Sequence, residues 1–481
     1  MIDTEALRKK VIDLAIQGKL TEQLPSDGDA ETLYVQIQEE KAKLIKEGKI
    51  KKDKPSADIS EEEILFNIPS NWKWVHLNEI AVSSLGKTLN KSTDKGELCR
   101  YLCSINIHWD EIILETVKTA RFEEDEKEKY RLCKNDLLIC EGGDSGRCAI
   151  WESDEEMYYQ NALHRVRFFC NINPKLYCYI IEFYKKSGII AFFSKGIGIQ
   201  HLVQFSLNAM WLPLPPLREQ ERIVDKLKAV MDVIDIIDSL QKKYCSNIEV
   251  LKNKIIDAGI RGKLTEQLPE DGDAETLYTQ IQEEKARLIK EGKIKKEKPL
   301  PDITEGEIPF EIPKNWKWVR LGDLSERIQY GYNAPAKQVG RIKMVRISDI
   351  HDGKVRWDEV PYCDIDDKDI KDYLLKENDI LFARTGGTVG KSYIVSEIKE
   401  DAIYAGYLIR TSYSSGIYAV YMKYFMESTL YWKQLQNGTI ATAQPNCNGK
   451  TLAKMMVPFP PYDEQKRISN QISRVLNQIG I

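Results

Sequence analysis

The chain lacks most of what would mark an enzyme, a secreted module or a membrane protein. Histidine occurs only five times, at His76, His108, His164, His201 and His351, and no two are spaced for a metal set or a catalytic triad. None of the ten cysteines stands in a CxxC pair. Seven of them (Cys99, Cys103, Cys133, Cys140, Cys148, Cys170 and Cys178) crowd into one segment, and the segment that matches it later in the chain has lost most of them. A disulfide or zinc framework that the fold required would recur in both, so these read as reduced interior thiols. No apolar run reaches 18 residues, and the opening MIDTEALRKK has no signal-peptide stretch, so a cytoplasmic protein without a membrane span is expected. A strong excess of one charge is missing as well. The net charge is −4, which does not announce a nucleic-acid binder but leaves room for locally basic surface on phosphates.

What is present, above all, is repetition. GKLTEQLPSDGDAETLY at 18–34 returns as GKLTEQLPEDGDAETLY at 262–278, and residues 10–77 align without a gap on 254–321. Two copies are too few for a solenoid and imply a pseudo-two-fold. LPLPPLREQERI at 212–223 returns as VPFPPYDEQKRI at 457–468. Each proline cluster breaks a helix, and the residues after it are helical.

The helix after the first cluster shows a seam. Ile223, Leu227, Val230, Ile234, Ile237, Gln241, Tyr244, Ile248, Leu251, Ile255 and Ala258 alternate by four and three, the heptad pattern of a coiled coil. Ile468, Ile472, Val475 and Ile479 repeat the start of that seam at the C-terminus, and Leu7, Val11 and Leu14 repeat its end at the N-terminus. Placed together, the two chain ends rebuild a second copy of the helix. The chain is therefore a cyclic duplication cut inside one repeat, and its two long helices are expected to pair antiparallel with the intervening segments at opposite ends.

Those segments share a plan but little sequence. Each opens with a strand, NWKWVHL at 71–77 and NWKWVRL at 315–321. Further strands are expected at YLCSINI (101–107) and MVRISDI (344–350), then at NDLLIC (135–140) and NDILFA (378–383), the last two each followed by a glycine turn. Three motifs invite a catalytic reading, and none sustains it. TGGTVGKS at 385–392 has Thr385 where a phosphate loop needs glycine, and YIVSE follows as a strand rather than a helix. PFPPY at 458–462 has Phe459 where an amino-methyltransferase tetrapeptide needs a polar acceptor, so it is a proline hinge. FEEDEKEK at 122–129 reads as a solvated turn. The KIKK runs starting at Lys49 and Lys293 read as solvated helix ends.

Taken in order, the paired NW-x-W-V-x-L openings, the PLPPLREQERIV and PFPPYDEQKRI helix starts, the ND-[IL]-L strands and the cyclic plan resemble the specificity subunit of type I restriction–modification systems over essentially the full length. That resemblance implies an α+β protein with two α/β target-recognition domains separated by a long antiparallel coiled coil. The implied layout is an N-terminal helix at 1–20, charged helical linkers at 21–70 and 261–313, recognition domains at 71–212 and 314–457, the central helix at 213–260 and the distal helix at 458–481. It also implies no catalysis in this chain. Partners would be double-stranded DNA with a bipartite target, two modification subunits using S-adenosylmethionine and two restriction subunits using ATP and Mg²⁺. Base readout is expected from loop polar and aromatic side chains, with basic ones on phosphates. The candidates are Tyr330, Tyr332, Lys337, Arg346, Arg384, Lys391 and Tyr407 in the second domain, and Lys87, Lys91, Asn106, Arg147, Gln160 and His164 in the first. A coiled-coil adaptor that binds only protein is the rival from another class. A self-sufficient methyltransferase is a second rival, but the sequence lacks its cofactor glycines and its tetrapeptide.

Overall fold

The computed structural model describes residues 1–52, 59, 64–90, 94–193, 201–351, 353–438 and 447–480. The chain divides into two compact units, Met1–Lys242 and Lys243–Ile481. The first unit begins with helix α1 (Thr4–Ile16), capped by the Asp3 carboxylate on the Ala6 amide. Helix α2 (Ala30–Lys46) is capped in the same way by Asp29 on Thr32, the arrangement that suits an orphan N–H of a first turn. Strand β1 (Lys73–His76) then runs toward the head. The head's main sheet holds β2 (Ala81–Leu85), β3 (Asp136–Cys140), β4 (Cys148–Trp151) and β5 (Leu163–Phe168) in the order β2-β5-β3-β4, every neighbour antiparallel. Helix α3 (Pro174–Lys186) packs on it, with Tyr177 and Tyr184 buried and donating to the carbonyls of Pro213 and Trp211. Strand β6 (Trp211–Leu214) returns antiparallel beside β1, Lys73 opposite Leu214. Pro213 fits there because the sheet has only two strands, and a proline needs no ladder donor at an edge.

Helix α4 (Leu217–Ile260) starts in the first unit and ends in the second. The second unit then repeats the scheme. It holds α5 (Ala274–Lys290), β7 (Lys317–Arg320), and a sheet of β8 (Ser325–Tyr330), β9 (Ile380–Ala383), β10 (Ser392–Ile394) and β11 (Leu408–Tyr413) in the order β8-β11-β9-β10. Helix α6 (Ala419–Phe425), strand β12 (Met456–Phe459) and helix α7 (Tyr462–Gln478) complete it, with Lys317 of β7 opposite Phe459 of β12.

The paired motifs now have a physical role. Glu219 is fully buried and accepts hydrogen bonds from Trp72 Nε1 at 2.8 Å, Gln23 Nε2 at 2.7 Å and Thr21 Oγ1 at 3.1 Å. Glu464 does the same for Trp316 Nε1 at 2.9 Å and Gln267 Nε2 at 3.0 Å. The neighbouring Gln220 and Gln465 accept from the backbone amides of Asn173 and Tyr418. Each helix start is thereby latched to the opening strand of its head.

In the first unit α1 runs antiparallel to the start of α4. The Ile2 amide meets Gln241, Thr4 meets Asp238 at 2.7 Å, and Arg8 pairs with Asp235. In the second unit Gly259 of α4 lies against Ile468 and Ile472 of α7, closely enough that a Cβ would sit 2.7 Å from Ile472. The expected seam is only partly buried. Ile223, Leu227, Ile234, Ile255, Ile468 and Ile472 are interior, and Val230, Ile237, Ile248, Val475 and Ile479 are half-buried. Tyr244 and Leu251 are 60% and 42% exposed.

Other expectations need correction. The strands predicted over 101–107 and 344–350 stop at Leu102 and Val345 and give way to single helical turns at Ser104–Asn106 and Ile347–Asp349. The cause is local: Asn106 Oδ1 accepts from the Cys103 amide and Asp349 Oδ2 from the Arg346 amide, a side-chain bond that competes with the sheet ladder. The acidic run forms helix Glu124–Tyr130 rather than a turn, and its Glu126 accepts from the buried Lys87. The cysteines are free thiols, but Cys133 and Cys245 are exposed, so not all are interior. Among the described residues no helix is long and apolar enough to cross a membrane.

Candidate nucleic-acid interface

The strand that follows the ND motif organises one end of each head. Asn378 takes φ 69°, a left-handed conformation that asparagine tolerates better than most residues. Asp379 accepts from the Lys376 amide at 2.9 Å and closes the turn. Asn135 and Asp136 repeat this with φ 72° and a 2.7 Å bond from the Cys133 amide. Both turns launch a buried strand, β9 or β3.

Just beyond β9 stands Arg384. Its amide donates to the Tyr407 carbonyl at 3.2 Å and its carbonyl accepts from the Cys447 amide at 3.0 Å. Because β8 and β9 are both antiparallel to β11, the end of β8, the end of β9 and the start of β11 share one edge of the sheet. Tyr330, Arg384 and Tyr407 therefore meet there. The Arg384 guanidinium lies 4.6 Å from the centre of the Tyr330 ring, and the Tyr330 hydroxyl accepts from the Gly449 amide at 2.9 Å. Tyr407 is 65% exposed, and Lys391 and the Gly386–Gly387 turn are exposed beside it. Close approach is enforced below, since a Cβ on Gly331 would lie 2.2 Å from the Ala405 carbonyl oxygen.

The remaining candidates of the second head lie elsewhere. Tyr332 is half-buried and stacks edge-on with Tyr373. Lys337 pairs with Asp364, and Arg346 is held bidentate by Asp349 at 2.7 and 3.1 Å.

In the first head most candidates turn out to support the fold. Lys87 is 4% exposed, donates to Glu126 and the Arg121 carbonyl, and rests on the Phe122 ring. Asn106 is fully buried as a turn cap. His164 is fully buried with Nε2 on the Leu202 carbonyl, and burial pushes its pKa down. These three are buried away from any base, with the Lys87 ammonium, the Asn106 amide and His164 Nε2 spent on interior partners and His164 Nδ1 buried without one. Arg147 is tied to the Ser104 carbonyl, Gln160 is half-buried beside Lys87, and Lys91 lies outside the described residues.

Matching hydrogen bonds put the two heads in register. The Glu141 amide donates to Ala162 as Arg384 donates to Tyr407, and the Glu141 carbonyl accepts from Leu202 as Arg384 accepts from Cys447. Leu85 opposes His164 as Tyr330 opposes Ile409. The first head thus presents Leu85, Glu141 and Ala162 where the second presents Tyr330, Arg384 and Tyr407. Burial pushes the Glu141 carboxyl up, with His201 opposing. Sequence reasoning missed Glu141, although its place directly after NDLLIC, level with Arg384, was a usable signal.

Two matched α/β heads, each latched to one duplicated helical scaffold and differing at the same sheet edge, define a two-headed recognition protein. A family profile described as type I restriction modification DNA specificity domain matches residues 69–243 and 313–481. The chain belongs to that family. It is similar to the type I restriction enzyme EcoAI specificity subunit of Escherichia coli, 27% identical over 534 residues, covering 98% of this chain and 88% of the relative. The EcoEI specificity subunit of Escherichia coli is 24% identical over 541 residues, covering 97% and 88%. Among solved structures, one from a study of complex assembly and conformational transition of the type I R-M system shares the fold, with a TM-score of 0.60 at 16% identity over 86% of this chain and 92% of that one.

Proposed function

We propose that each head reads one half of a bipartite DNA target. The chain is a specificity subunit, a non-catalytic role within its complex. The observation that carries the two-half reading is the sheet edge: one backbone framework presents Tyr330, Arg384 and Tyr407 in one head and Leu85, Glu141 and Ala162 in the other. A shared framework with different side chains at one edge is what two readers of unlike sequences require. In the second head the exposed Lys391 would meet a phosphate, while Lys337, Tyr332 and Arg346, already held by Asp364, Tyr373 and Asp349, belong to the neighbouring sheet and would contribute at its margin. In the first, Arg147 and Gln160 are the accessible remainder of the candidates.

The duplicated helical scaffold docks two modification subunits and, through them, two restriction subunits. S-adenosylmethionine and the ATP and Mg²⁺ belong to those subunits and not to this chain. Exchanging residues 78–212 for the matching segment of another family member, followed by methylation-sensitive sequencing, tests the reading. One half-site should change and the other should stay. A change in both would show that the heads are coupled, and no change would remove DNA reading from the first head.

A further inference from the structure

We propose that Arg384 reads a guanine, through its O6 and N7 edge in the major groove, within the half-site bound by the second head. This rests on the reading of that head as a DNA reader and names the base it takes. In the second head Arg320 pairs with Glu307, Arg327 with Asp372, Arg341 with Asp367, Arg346 with Asp349 and Arg356 with Glu359. Arg410 also lies over a tyrosine, Tyr404, but its two terminal nitrogens are consumed by the Leu374 and Asp372 carbonyls and Gln329. Arg384 differs from all of them. Among the described residues its guanidinium has no hydrogen-bond partner at any nitrogen; a buried Nε without one is shared with Arg410, but the free terminal nitrogens are not.

An unpaired guanidinium is costly to hold still, yet this one is held. The Tyr330 ring supports it at 4.6 Å, the Gly449 amide pins that ring through its hydroxyl, and two main-chain hydrogen bonds, to Tyr407 and from Cys447, fix the backbone beneath. A planar fork with free donors, fixed in orientation before any ligand arrives, matches the two adjacent acceptors of guanine bidentately. Lysine beside it at Lys391 supplies a point charge suited to a phosphate. The first head carries Glu141 at the equivalent place, so the two half-sites cannot share this contact.

The test uses the assembled complex with its own modification subunits. Wild type, Arg384→Lys and Arg384→Gln are compared by methylation-sensitive sequencing, with the head exchange assigning each half-site to its head. The expected result is a G·C pair in the second head's half-site whose preference falls about tenfold or more, about 1.4 kcal/mol, in both variants while the other half-site is unchanged. A phosphate contact would weaken binding at all sequences alike and survive Arg384→Lys, and that outcome overturns the proposal. So does a second half-site without any G·C pair, although DNA reading by the head would then still stand. Because a variant could fail to fold, 7-deazaguanine placed at each guanine of the half-site gives an independent measure with the wild-type complex. One position should lose about tenfold in affinity through the missing N7, and no loss at any position refutes the contact.

Discussion

Removing the Glu464 carboxylate should loosen the second unit at one identifiable joint. Glu464 has no exposure and accepts from Trp316 Nε1 at 2.9 Å, while Trp316 itself is 7% exposed. Glu464→Ala leaves that indole N–H buried without a partner, which costs about 1–3 kcal/mol, and also deletes a charge-assisted bond. Gln267 is exposed and can turn to water, so its share is small. The total should reach about 2–4 kcal/mol. Glu464→Gln keeps the volume and one acceptor for the indole, exchanging a charged for a neutral bond at about 1 kcal/mol. Amide hydrogen exchange localises the effect. In peptides covering β7 and β12, where Leu321 donates to the Met455 carbonyl, protection should fall about 30- to 700-fold for the alanine variant and far less for the glutamine. The matching peptides of β1 and β6 serve as the control, since Glu219 is untouched. Equal behaviour of the two variants, or equal loss in the first unit's peptides, would refute the latch as the joint between helix and head.

Two further outcomes follow from single positions. Burial holds the His164 pKa below its usual 6.5, so the unfolded chain takes up the proton first as pH falls. The first unit should therefore lose stability as pH drops from 6.5 toward the lower folded value. His164→Ile, which copies Ile409 of the second head, should flatten that dependence in denaturant titrations followed by first-unit exchange peptides. Gly331→Ala forces a Cβ to 2.2 Å from a backbone oxygen. It should destabilise the second head by about 1–3 kcal/mol or more and abolish recognition of its half-site alone, measured by DNA competition.

The scaffold was legible because its signals are periodic or repeated. The run 217–260 carries apolar residues at helical spacing, and the copies at 18–34 and 262–278 impose the same caps, Asp29 and Asp273, on the same helices. The ND strands were legible from Asn and Asp before an apolar run. The heads' polar residues were not, because a sequence shows that a side chain can donate without showing whether its neighbours already accept. Lys87, held by Glu126 from a distant segment and flanked by Asp94, looks like a surface cation until the sheet closes over it. The same limit applies to the seam, where Tyr244 fits the heptad yet is 60% exposed.

The duplication supplies its own criterion for separating framework from reader. Polar groups that recur in both heads with the same partners are structural: Asp136 and Asp379 cap equivalent turns, Arg165 and Arg410 lie over Tyr159 and Tyr404, and Trp72 and Trp316 meet Glu219 and Glu464. A substitution there removes interactions on which the fold itself depends, so neither head can vary them to change its target. Groups at matched positions that differ between the heads are free of that constraint. By this rule Arg410, basic and stacked on a tyrosine, is framework despite its resemblance to a base contact, whereas Arg384 with the same chemistry is the proposed reader. The distinction lies in the terminal nitrogens of the guanidinium: three protein acceptors for those of Arg410, and none among the described residues for those of Arg384.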